Sequence, residues 1–360
     1  MSIGNLKNIV AREFGTPAVV VDLDIVERNI ARVQAMCDAI SIANRPHIKT
    51  HKMPMIADLQ RRAGAIGVTC QKLREAEVMA AAGHDNILIS YNLVGEQKIG
   101  RLGRLLSTAD VVVSCDNDYV ATGLRRAAEI AGRDLDVLVE CDTGRKRTGV
   151  TTVGELVALA RHIRDTPGLK FAGVMMYPPD DSAIHSKRFL DEGITALRAD
   201  GLNPSIVSSG GTPNLFKHGK LEGITEHRPG TYVFNDLMQI SAGSAALSDC
   251  AVSIYSTVVS RAEACRGVID AGSKTLTSDT GGLAAGYGRI LEYEDIQIPR
   301  LMEEHGFLEI SCGHGPSIGE IVRVVPNHVC VVWNMVDFVV AVRGGDVVGT
   351  LRVEARGCTS

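Results

Sequence analysis

Residues 110–142, DVVVSCDNDYVATGLRRAAEIAGRDLDVLVECD, decide the fold. A β-branched run (DVVVSC, 110–115) leads into an amphipathic stretch (GLRRAAEIAG, 123–132) and then into a second such run (DVLVECD, 136–142). Runs nearly continuous in hydrophobicity describe strands buried on both faces, and parallel strands need a helical crossover between them. The same alternation extends outward. RPHIK (45–49), AIGVTC (65–70) and NILISY (86–91) lie upstream, and KFAGVMMY (170–177), SIVSSGG (205–211) and TYVFND (231–236) lie downstream. Helical patterns such as KLREAEVMAAAG (72–83), ending on Gly83, separate them. Eight β–α units in series predict an α/β fold, a TIM (β/α)8 barrel.

After Asp236 the texture changes. Residues 246–360 carry strand-like runs with few helical patterns, among them VSIYSTVVSR, GEIVRVV and VCVVWNMVDFVVAVRGG. VVAVRGGDVVGTLRV reads as a hairpin turning at Gly344-Gly345-Asp346. We therefore expect a barrel over 24–245 and a C-terminal, mostly antiparallel β domain over 246–360. TPAVVVDL (16–23) joins that domain as a strand of residues 1–23, and a helix follows with Asp24 near its N-cap.

Composition removes several function classes. Hydrophobic residues are 45% and charged residues 22%, so the chain can bury a full core. A net charge of -4 gives no field that recruits nucleic acid or an anionic membrane. Aromatics are 4% and interleave with no basic run, which argues against a stacking platform for single strands. The N-terminus MSIGNLKNIVAREFG has no signal-peptide apolar core, and no stretch nears the ~18 apolar residues of a membrane span. The nine cysteines are scattered without a CxxC pair, as in a reduced, cytoplasmic protein.

Barrel chemistry sits at the C-terminal ends of strands. If RPHIK is a strand, Arg45, His47 and Lys49 share one face. Inward-facing cations are costly unless an anion binds or the lysine is neutral, and a neutral lysine is what a Schiff base requires. The same residues also admit a solvated basic turn. Lys52, past the strand, faces solvent or phosphate. SSGGTPN (208–214) suits a phosphate cradle, or else a plain tight loop. CDTGRKRTGV (141–150) is a surface loop, unless one arginine reaches a ring nitrogen or carboxylate in the barrel mouth. In PNHVC (326–330), His328 and Cys330 lie two apart, on one face of a strand. That spacing suits Zn²⁺, yet two ligands are a weak signal and core packing is the default; His305 or His314 is a candidate third contact.

Taken in order, TPAVVVDLDIVERNI, RPHIKTHK, VTCQKLREAEVMAAAG, DTGRKRTGV, the strand ending in Tyr177, SSGGT, RPGTYVFND, VIDAGSKT and PNHVC resemble one group. It is the D-threonine aldolase and D-serine dehydratase group of alanine racemase-like (fold type III) pyridoxal phosphate enzymes. The likeness covers nearly the whole chain. It implies that Lys49 binds pyridoxal 5'-phosphate, that Arg147 faces the pyridine nitrogen, and that Gln71 and Tyr177 line the pocket. Gly210, Gly211 and Thr212 would hold the phosphate, with Tyr232 nearby, and His328 and Cys330 would bind one divalent metal (Mn, Zn, Co or Mg). This replaces the core reading of PNHVC. It also makes Lys49 and His328 the catalytic pair, with the metal within reach of the cofactor, and implies a homodimer with shared sites.

An arginine opposite the pyridine nitrogen cannot readily give up a proton, so the ring stays unprotonated and is a weaker electron sink. A metal on the substrate's β-hydroxyl supplies the missing stabilisation. The implied activity is a low-specificity D-threonine aldolase, cleaving small β-hydroxy D-amino acids to glycine and an aldehyde. The alternative is a D-serine or 3-hydroxy-D-aspartate dehydratase. One departure stands out. Many members have a histidine shortly after the tyrosine, whereas here Pro178 and Pro179 follow Tyr177, and His185 comes eight residues on. Two other classes stay open: a cofactor-binding protein without turnover, usually a lone barrel, and a structural barrel with no cofactor.

Overall fold

The computed structural model describes residues 3–179, 183–218, 222–283, 286–311 and 314–360. The chain forms two units. One comprises Val33–Lys49, Pro54–Gly230 and Cys358–Ser360; the other comprises Met1–Arg32, Thr50–Met53 and Thr231–Gly357. The second unit thus starts at Thr231, ahead of the boundary read from texture. Its residues 237–238 donate backbone N–H groups to the Pro326 and Asn327 carbonyls, which ties them to the β unit.

After a first strand, β1 (Ala18–Asp22), which belongs to the β unit, eight parallel strands make the barrel. They are β2 (Ala43–Asn44), β3 (Val68–Cys70), β4 (Asn86–Ile89), β5 (Asp110–Cys115), β6 (Leu135–Cys141), β7 (Leu169–Met176), β8 (Ile206–Gly210) and β9 (Glu226–Arg228). The sheet runs β2-β9-β8-β7-β6-β5-β4-β3, and a parallel bridge between His47 and Thr69 joins its two ends. Alternate residues of each strand serve different cores. Val137 and Val139 pack outward with helix residues such as Leu124 and Leu159, while Leu138 joins Leu88, Ala172 and Met175 in a separate cluster.

Two strand readings are corrected. RPHIK is not one strand. Only Ala43–Asn44 and the bridge at His47 belong to the ladder, and Lys49 sits on a 3-10 turn, Ile48–Thr50. Pro46 has no N–H to continue the ladder, although its carbonyl accepts from Thr69. Nor is TYVFND the eighth strand. Thr231–Val233 is a 3-10 turn, and the strand is the charged Glu226–Arg228, which hydrophobicity alone does not reveal. Its charges are neutralised inside the barrel. Arg45 Nε lies 2.9 Å from Glu226 Oε2, and Ser208 Oγ donates to Glu226 Oε1 at 2.6 Å.

The β unit is a mixed sheet of nine strands: β1, β10 (Val252–Glu263), β11 (Arg266–Ile269), β12 (Arg289–Ile290), β13 (Gln297–Leu301), β14 (Gly306–Glu309), β15 (Ile321–Val325), β16 (Phe338–Arg343) and β17 (Asp346–Arg352). β1 and β16 pair in parallel, and the other described pairs are antiparallel. The hairpin of β16 and β17 turns at Gly344-Gly345 as read. Helix Ile3–Phe14 lays Leu6 and Val10 on Val20, Tyr255, Val340 and Val342; fully burying such a side chain stabilises by about 1.5–3 kcal/mol. The next helix, Leu23–Ala39, is capped by Asp22 rather than Asp24, since Asp22 Oδ1 accepts the N–H groups of Asp24 and Ile25. Among the described residues no helix is long and apolar enough to cross a membrane. The eight described cysteines are free thiols, and Cys312 lies outside the described residues.

Candidate active site

In the barrel unit the 3-10 turn presents Lys49 to Gln71, with Nζ 3.4 Å from Oε1. Gln71 is held in one orientation. Its Nε2 donates to the Ser90 carbonyl at 2.9 Å and its backbone N–H to Glu75 Oε2 at 2.8 Å, so its carbonyl oxygen faces the lysine. His47 Nε2 lies 3.2 Å from that same oxygen, and its Nδ1 accepts the Lys49 backbone N–H at 3.4 Å. The tautomer follows: Nε2 carries the proton. Lys52 does not face solvent. It is buried in the β unit, with Nζ 3.5 Å from the Ala355 carbonyl.

The arginine loop follows β6. Arg145 lies over the Tyr177 ring at 4.2 Å from its centroid, and Arg147 lies at 5.4 Å. Arg147 is half exposed, 3.7 Å from Glu140 Oε1. Burial raises the Glu140 carboxyl above its usual range, while a hydrogen bond from Thr148 and the Arg147 charge pull the other way. After Tyr177, the Pro178 carbonyl accepts from Arg145 Nε at 3.2 Å and Asn214 Nδ2 at 3.0 Å. His185 is exposed on the helix Ala183–Ala199.

The glycine pair after β8 is shaped by its neighbours. At Gly211 (φ +98) a Cβ would come 2.7 Å from Tyr177 Cε2 and 3.0 Å from Asn214 Nδ2, so only glycine fits. The Ser209 hydroxyl beside it is buried with no protein partner. Thr212 is buried and begins the helix Thr212–His218. Two residues not singled out by sequence support this loop. His227 Nε2 donates to the Gly211 carbonyl at 2.8 Å, and burial lowers that imidazole to about 4. Arg228 donates to Ser208 Oγ and to the Met176 carbonyl, and burial lowers its guanidinium to about 10. Their only sequence signal is three charged or polar residues one loop after a strand.

In the β unit, Tyr232 is buried on the turn Thr231–Val233. PNHVC is not a strand. His328 is the N-cap of a one-turn helix, Val329–Val332, and Cys330 lies within it. The helical turn still brings the two side chains together, and they shift each other's titration. Burial opposes both charged forms, yet their mutual hydrogen bond and charge dominate. The thiol falls below its usual value, and the imidazole, helped by Asp279, rises to about 10. Cys330 Sγ lies 3.3 Å from Thr50 Oγ1 and 3.7 Å from Thr231 Oγ1. Neither His305 nor His314 completes the pair: among the described residues no three His, Cys, Asp or Glu side chains form a metal-binding group.

A parallel barrel whose first strand leads to a hydrogen-bonded lysine, accompanied by a mixed β unit, defines the alanine racemase class of fold. Comparison with known proteins agrees. Residues 21–237 match the alanine racemase N-terminal domain family, and residues 251–342 match the putative serine dehydratase domain. The D-threonine aldolase of Arthrobacter sp is 33% identical over 356 residues, 95% of this chain and 93% of that one. The crystal structure of D-threonine aldolase from Filomicrobium marinum matches with a TM-score of 0.89 at 34% identity, covering 96% of both chains. A cysteine-to-alanine variant of D-threo-3-hydroxyaspartate dehydratase, in a metal-free form, matches with a TM-score of 0.85 at 30% identity, over 94% of this chain and 98% of that one. The chain belongs to the alanine racemase-like, pyridoxal phosphate-dependent lyases, in the group of D-threonine aldolases and D-serine dehydratases.

The residues present fit the cofactor. The orphaned Ser209 hydroxyl and the cradle at Gly211 suit a phosphate, and Gln71 aims an acceptor at the Lys49 amine. They also fit a divalent ion. Cys330 sulfur and the His328 nitrogen turned away from Asp279 are a borderline-soft donor pair that leaves positions for water and substrate.

Proposed function

We propose that the protein is a metal-dependent, low-specificity D-threonine aldolase, splitting β-hydroxy D-amino acids into glycine and an aldehyde. When bound, pyridoxal phosphate supplies the sink for the electron pair left on Cα, and a divalent ion polarises the β-hydroxyl. In this reading Lys49 carries the cofactor, Gln71 orients its amine, and Gly210, Gly211 and Thr212 hold the phosphate. Arg147 faces the ring nitrogen and withholds a proton from it; its permanent charge suits that task. Tyr177 lies beside the cofactor, and His328 with Cys330 holds the ion. Cleavage breaks the Cα–Cβ bond, the hydroxyl loses its proton as the carbonyl forms, and Cα gains one.

One observation favours cleavage over dehydration. It is the departure after Tyr177, where Pro178 and Pro179 stand in place of the histidine that many members carry. The second reading, a D-serine or 3-hydroxy-D-aspartate dehydratase, is favoured by the His-x-Cys pair. A metal-free structure of a related dehydratase is likewise that of a cysteine variant. Product analysis on D-threonine with added Mn²⁺ separates the two. Glycine plus acetaldehyde is expected; 2-oxobutyrate plus ammonia would establish the dehydratase.

A further inference from the structure

We propose that Asp279 is the positioning residue of the metal pair: its carboxylate holds the His328 imidazole so that Nε2 is left to bind a divalent ion beside the Cys330 sulfur. The inference rests on the metal reading above and adds a residue to it. Asp279 Oδ2 lies 2.6 Å from His328 Nδ1. A carboxylate at this distance accepts, so Nδ1 carries a hydrogen, and Nε2 is the nitrogen that a divalent ion would take in place of a proton. A carboxylate on the far nitrogen of a ligating histidine fixes its tautomer and ring orientation and makes it a stronger donor.

The carboxylate is itself held. Asp279 Oδ1 accepts the Gly281 N–H at 2.8 Å, which leaves Oδ2 for the histidine, and the Asp279 N–H donates to Thr277 Oγ1 at 3.1 Å. Gly281 has φ +65, and a Cβ there would come 2.3 Å from Met238 Cγ, so this turn abuts the helix Leu237–Ser241. Asp236 caps that helix. Its Oδ1 accepts from the Gln239 N–H at 3.0 Å, and its Oδ2 accepts from the Val329 N–H at 2.9 Å. The turn carrying Asp279 and the turn carrying His328 are thus set against one short helix, which registers the carboxylate to the imidazole. As a structural ion pair the contact is minor. Both side chains reach solvent, 25% for His328 and 43% for Asp279, where water screens the pair.

The test uses the cofactor-loaded enzyme stripped of metal and titrated with Mn²⁺, with free ion followed by electron paramagnetic resonance. Asp279→Ala is expected to weaken Mn²⁺ binding about 10- to 100-fold. Asp279→Asn, which keeps an acceptor oxygen, should fall between it and wild type. Melting temperature and cofactor content should hold, and activity should return at saturating Mn²⁺. Wild-type Mn²⁺ affinity in Asp279→Ala, alongside lost binding in His328→Ala, overturns the role of Asp279 alone. Wild-type affinity in His328→Ala overturns the metal reading and this inference with it.

Discussion

The lysine corner of the barrel and the His328–Cys330 turn of the β unit present reactive side chains by different means. At the barrel corner, backbone ladders do most of the work. The His47 backbone N–H donates to the Pro229 carbonyl, the bridge to Thr69 sets the end of the strand, and Gln71 then needs only the Ser90 carbonyl to aim at Lys49. In the β unit no ladder among the described residues reaches the pair. A single helical turn carries it, and carboxylates from distant segments hold it: Asp236 on the Val329 N–H and Asp279 on the imidazole. A ladder tolerates the loss of a side chain, whereas a site hung on two carboxylates does not. The two regions should therefore fail differently.

The largest effect is expected at the barrel corner. Lys49→Ala should abolish activity and covalent cofactor attachment while leaving the fold intact, because Lys49 is a half-buried residue on a single 3-10 turn. Borohydride reduction followed by peptide mass mapping checks this, and a reduced adduct on another lysine, such as Lys52, would refute the assignment.

His328→Ala should do the opposite. Cofactor content should survive, while activity falls about a thousandfold, as loss of several kcal/mol of Lewis-acid stabilisation implies. Chelation of wild type should reproduce the loss, and added Mn²⁺ should restore wild type but not the variant. If cofactor and metal are lost together from the variant, the two regions are not separable as argued.

The smallest effect concerns His227, beneath the glycine loop. Its folded value is about 4 against an ordinary 6.5, because burial disfavours its charge. Between these values the unfolded chain binds a proton that the folded protein refuses. Stability is therefore complete above about 6.5 and is lost as pH falls towards about 4, by roughly 3 kcal/mol. His227→Gln keeps a donor for the Gly211 carbonyl without titrating. Melting curves over this range should show a shallower decline in the variant, and parallel declines would remove His227 as the cause.

The sequence by itself determined the barrel, because strands buried on both faces must be apolar throughout and their connecting helices must show one apolar stripe. It also marked Lys49 and the Gly210-Gly211 loop, since chemistry at a barrel mouth falls at the ends of apolar runs, whereas Gln71 and Tyr177 entered through the family resemblance. The eighth strand was illegible. Glu226, His227 and Arg228 are buried through pairing with Arg45, Ser208 and the Gly211 carbonyl, and no local pattern announces partners so far along the chain. The same holds for the β unit. His328 and Cys330 were visible as a spacing, yet a spacing of two also fits a strand, and the chain takes a helical turn there. Only the tertiary structure brought up Asp279, 49 residues away, and turned Asp236 from a strand-end residue into a cap shared by two segments. Backbone pattern follows from neighbours in sequence, whereas a buried charge or an oriented imidazole depends on whichever distant carboxylate the folded chain delivers to it.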